Sequence, residues 1–148
     1  MDLVWALLGI LSGMMIALQG PINAQLAQAL GMPLAAAAAN FVAGSVVLIL
    51  ITFVLARVQG VAIAWHMPPS WMFLAGGCLG AAFVTSALIL TPKVGAAATM
   101  AFIVTGQLLA GLLLDRLGYF DLVVRELTLG RVTGAVLLVV GALLISTS

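Results

Sequence analysis

Five long apolar stretches dominate the chain and decide what it can fold into. They cover residues 3–30, 34–56 (LAAAAANFVAGSVVLILITFVLA), 71–91 (WMFLAGGCLGAAFVTSALILT), 94–114 (VGAAATMAFIVTGQLLAGLLL) and 131–147 (RVTGAVLLVVGALLIST). A helix crosses a bilayer with about 20 apolar residues, in a range of about 17–25. Each stretch meets or nearly meets that length. Only 6% of the residues are charged, where a soluble domain carries about 25%. So few charges cannot cover a surface facing water. The expected fold class is therefore all-α integral membrane protein: one membrane domain over 1–148, a bundle of five transmembrane helices in a lipid bilayer.

The same composition removes several functions. The net charge is +1, with no basic cluster and no aromatic stacking run, so no nucleic-acid partner is expected. Cys78 is the single cysteine. It can form no intrachain disulfide or metal site by itself, and it is expected as a small buried residue. A cleaved leader is not expected, because the chain opens on the acidic Met1-Asp2 and four more apolar spans follow the first.

Breaks between the stretches are specific. Gly31 stands where a helix commonly ends in a left-handed glycine, and Pro33 where a helix accepts proline at its first position. The first two helices should therefore be antiparallel neighbours. HMPPS (66–70) ends the second connection, Thr91-Pro92-Lys93-Val94-Gly95 should make the third turn, and DRLGYFDLVVRELTLG (115–130) holds most of the charge. Five spans put the termini on opposite sides. Arg57, His66, Arg116, Arg125 and Arg131 then share the N-terminal side, with Trp5, Trp65, Trp71 and Tyr119, while Lys93 stands on the other. The excess of arginine favours a cytoplasmic N-terminus and an external C-terminus, and the aromatic residues read as an interfacial belt. A four-span count lacking the first helix is the rival topology.

Polar residues are sparse, so each counts. ALQGPINAQL (17–26) sets Gln19, Pro21, Asn23 and Gln25 against an apolar run. An amide moved into apolar surroundings without a partner costs roughly 2–7 kcal/mol. Gln19 and Asn23, four apart, share a helix face. Two readings stay open: a wet helix end at the interface, or a helix bent at Pro21 with two amides facing a cavity. Asn40 either bonds to helix 1 or touches a ligand, and Gln107, central in the fourth stretch, has the same two options. Thr85, Ser86, Thr99 and Thr105 should bond to carbonyls of their own helices. Gly76, Gly80 and Gly106 sit at spacings that let helices approach closely. Asp115 beside Arg116 reads first as a surface ion pair. No acidic or basic residue lies well inside a span, and no Ser/His/Asp set, HExxH, GxSxG or P-loop is present. An enzyme is not expected, nor is any cofactor or metal.

LQGPINAQL, NFVAG, LGAAFVTSALILTPKVGAA and GQLLAGLLLDRLGYF followed by GRVTGAVLLVVGALLI stand in order over nearly the whole chain. In these stretches the chain resembles the YdcZ-like family, a five-span branch of the drug/metabolite transporter superfamily. The resemblance implies one inverted-repeat half of a bacterial inner-membrane transporter, with substrate near the midplane between halves. It implies a partner as well: a second copy, parallel or antiparallel, or a homologous chain. Gln19, Asn23, Asn40 and Gln107 fall at the family's polar positions, Pro92 and Gly95 at its helix 3–4 turn, and Asp115 at the end of its helix 4 motif. The expected function is secondary transport of a small neutral or zwitterionic solute by alternating access, with Asp115 the acidic candidate if protons are coupled. The alternatives are a non-transporting accessory or scaffold subunit and, last, a small channel.

Overall fold

The computed structural model describes residues 3–65 and 67–147; Met1-Asp2 and His66 lie outside them. Five α-helices follow one another: α1 (Leu3–Leu30), α2 (Pro33–Gln59), α3 (Ser70–Val94), α4 (Ala96–Leu117) and α5 (Leu129–Thr147). All five are long and apolar enough to cross a membrane. The first helix meets the same length and apolarity as the other four, in keeping with the five-span count.

The chain divides into two compact units, residues 1–89 and 90–148. In the first, α1 runs unbroken through Pro21 to Leu30. Gln19 is thus no helix end, and no backbone break accompanies the proline. At 1.5 Å per residue its 28 residues span about 42 Å, more than the ~30 Å hydrocarbon layer, which calls for tilt. Gly31 then turns the chain with φ 71°, Met32 is extended and Pro33 opens α2. The link is two residues, so α1 and α2 pack closely along a stripe of small side chains. Ala27, Ala36 and Ala37 are buried there, and Leu88 of α3 closes the cluster.

Helix limits reach past the apolar stretches at several ends. α2 continues to Gln59 and is capped by Gly60 in the left-handed region. α3 passes through Pro92 to Val94, so the α3–α4 turn is Gly95 alone, at φ 84°. A proline in the last turn loses one bond to the preceding turn, too little to end the helix there. The Gly95 N–H donates to the Thr91 carbonyl (3.0 Å), and the Thr99 hydroxyl donates to the Gly95 carbonyl (2.7 Å). Ser86 and Thr105 likewise bond to Ala82 and Ala101 of their own helices.

Packing inside the chain is thin. At most 11% of the most apolar window of any helix is buried. Side chains this apolar and this uncovered suit lipid or another chain, not water. Cys78 is exposed as well, against the expectation of burial. Of the three glycines expected at close helix contacts, Gly80 makes one: a Cβ there would stand 3.2 Å from the Phe41 ring. Gly76 and Gly106 have nothing within 4 Å of a built Cβ, so among the described residues they make no such close contact.

Candidate functional site

Two cavities gather the polar residues of the spans, one in each unit. The first, of about 230 Å³, is lined by Gln19 of α1, by Asn40, Phe41, Gly44 and Ser45 of α2, and by Val84 of α3. The short Gly31–Met32 link lays the start of α2 beside the end of α1, and Asn40 and Gln19 line one chamber there. Nδ2 of Asn40 is buried and has no hydrogen-bond partner. The expected amide bond from this donor to helix 1 is therefore not made. An amide nitrogen in that state has given up water and gained nothing, a cost of about 1–3 kcal/mol. Asn40 lines the chamber, while its Nδ2 is covered by protein and makes no hydrogen bond.

Asn23 does not line this chamber. It is 7% exposed, one turn before Ala27 on the packed stripe. A four-residue step on a helix leaves an offset of about 40°. That offset is enough to send two amides of one face in different directions: Gln19 turns to the cavity and Asn23 turns inward. Gln25 and Gln28 are exposed.

The second cavity, of about 490 Å³, runs along α4 and α5. Gln107, Gly111 and Asp115 line it from α4, and Gly130, Arg131 and Gly134 from α5. Arg131 Nη1 lies 3.1 Å from Asp115 Oδ2. Asp115 thus pairs with Arg131 and not with Arg116 as expected, because consecutive helix residues point about 100° apart. The contact is electrostatic and not a directed hydrogen bond, for Nη1 is buried without an aligned acceptor. Only the spatial return of α5 reveals this pair, which is sixteen positions apart in a charge-rich loop region.

The connection between α4 and α5 holds the pair in register. α4 ends at Gly118 with φ 65°, its N–H on the Leu114 carbonyl. The chain then folds back, and the Arg125 N–H donates to the Asp115 carbonyl at 2.9 Å. The Thr128 side chain caps α5 by accepting from the Arg131 N–H at 3.4 Å. Arg131 is thereby seated in the first turn of α5, across from Asp115 in the last turn of α4.

Comparison with known proteins bears on this architecture. The profile of the family described as "Putative inner membrane exporter, YdcZ" matches residues 4–144. The chain belongs to the YdcZ family. A relative, the inner membrane protein YdcZ of Escherichia coli (strain K12), is 42% identical over 76 residues. That match takes in 51% of this chain and 50% of the relative, so it spans about half the length of that protein. No solved structure matches. As a YdcZ-family member with five helices long and apolar enough to cross a membrane, the chain is a multi-pass inner-membrane protein. For the YdcZ family the two cavities raise one question, namely what each is built to hold.

Proposed function

We propose that this chain is a subunit of a secondary transporter that moves a small neutral or zwitterionic solute by alternating access. One observation carries the reading: Asn40 and Gln19 line one chamber, and Asn40 Nδ2 has no hydrogen-bond partner. Polar groups inside a membrane face protein, partners or a solute path, because lipid offers them no hydrogen bond. Two amide residues gathered on one cavity, one of them with a hydrogen-bond donor unspent, are what solute binding uses. The reading includes a dimer with a second copy or a homologous chain. Its support is the small share of each helix that the chain itself covers and the exposed Gln25 and Gln28. Arginine on the N-terminal side supports a cytoplasmic N-terminus.

Asn40→Leu separates this reading from a scaffold role. Leucine has nearly the shape of asparagine and removes the unsatisfied donor. The expected result is unchanged or raised thermal stability in detergent, by up to about 2 kcal/mol, together with a loss of solute flux. Flux would be measured in proteoliposomes with radiolabelled glycerol, glucose, leucine and glycine betaine. At least one solute should cross with the unaltered protein, and its rate should fall about tenfold or more, the equivalent of ~1.4 kcal/mol of lost binding. Gln19→Leu should lower the same rate. A scaffold would show no flux at the outset and would lose stability on substitution of Asn40.

A further inference from the structure

The α4–α5 cavity holds two charges at helix ends that disfavour them. Arg131 is in the first turn of α5, where the helix dipole is positive. Asp115 is in the last turn of α4, where the dipole is negative. Helix stability alone would place each charge at the opposite end. They offset one another across 3.1 Å, yet the contact is undirected and Nη1 is left without an aligned acceptor. A guanidinium carries five donors in a fork shaped for a carboxylate. Most of that capacity is unused here. The pair opens onto about 490 Å³ of space, and Gly111, Gly130 and Gly134 keep the opening clear, since a built Cβ at each meets nothing within 4 Å.

We infer that this cavity is a binding site for a small zwitterion that carries one carboxylate and one ammonium group. The carboxylate lies on Arg131 at the start of α5, where side chain and helix dipole both favour an anion. The ammonium lies on Asp115 at the end of α4, where both favour a cation. Each misplaced charge becomes a recognition element for the group of opposite sign. The walls beyond are Leu108, Leu112 and Leu138, which suit an apolar body. Gln107, two turns below Asp115 and so about 12 Å along the helix, meets the far end. This assignment narrows the solute class of the proposed transporter and rests on that reading for the solute being carried, but not for its being bound.

Binding by the purified full chain in detergent micelles tests the assignment with three probes. L-leucine has both charges, leucinamide lacks the carboxylate, and N-acetyl-leucine lacks the ammonium. Leucine should raise the thermal midpoint and titrate calorimetrically in the millimolar range or tighter, with the other two at least about tenfold weaker. Arg131→Lys keeps the cation and the pair with Asp115 but loses the fork. It should leave the midpoint of the free protein unchanged and weaken leucine about tenfold. Asp115→Asn should erase the preference for leucine over N-acetyl-leucine. Equal response to all three probes, tighter binding of N-acetyl-leucine than of leucine, no leucine binding at millimolar concentration, or unaltered leucine affinity in Arg131→Lys each overturns it. Flux does not enter these measurements. Leucine bound and never carried counts against the transport reading alone, whereas flux that persists without this binding counts against the zwitterion site alone.

Discussion

Gly118→Val is expected to destabilise the protein by about 3–5 kcal/mol, through a strained backbone and an overpacked contact together. Gly118 ends α4 at φ 65°, where an L-residue with a branched Cβ is strained by roughly 1–2 kcal/mol. A Cβ there would also stand 2.6 Å from Cγ2 of Val124, closer than two carbons can approach. Val124 cannot retreat freely, because its neighbour Arg125 is tied through its N–H to the Asp115 carbonyl. The two contributions can be separated. In a Val124→Ala background the contact with Cγ2 is gone, so Gly118→Val should cost only the backbone share, about 1–2 kcal/mol. Thermal denaturation of the four proteins in detergent reads both values. Equal costs in the two backgrounds would show that the loop does not fold back on the end of α4. Loosening this loop should also weaken leucine binding, since the loop seats Asp115.

Ala36→Leu is expected to be the most damaging change in the first unit, by about 3 kcal/mol. Ala36 is fully buried and Ala37 is 3% exposed, in the stripe where α2 meets Ala27 of α1 and Leu88 of α3. Membrane helices gain little from burying apolar surface, because lipid is as apolar as leucine. Their contacts depend on close packing instead, and three extra carbons at Ala36 would push α1 and α2 apart. Asn40 lies one turn further along α2, so the chamber it shares with Gln19 should open and flux should fall too. Ala39→Leu, at an exposed position of the same helix, should change stability by no more than about 0.5 kcal/mol. Similar losses at both positions would mean that α1 and α2 do not pair through this stripe.

Membrane placement was legible from composition, because length and apolarity alone satisfy the bilayer. Span number followed from the same runs, and the glycine and proline at 31 and 33 announced a tight turn by their own backbone limits. Pro92 misled about the third turn, since a proline near a helix end interrupts less than one in the middle. Asp115 misled as well: Arg116 stood beside it in sequence, and the side chain that answers it comes from another helix.

Which residues cross the membrane was decided by the sequence itself, for transfer into hydrocarbon depends on what each stretch contains and hardly on what it touches. Tertiary structure alone decided the state of the polar groups. Whether an amide such as Asn40 finds a partner, or Asp115 meets Arg131, is a matter of a few ångströms between helices. Those distances are set by small packed residues and short turns whose effect exists only once the helices lie side by side.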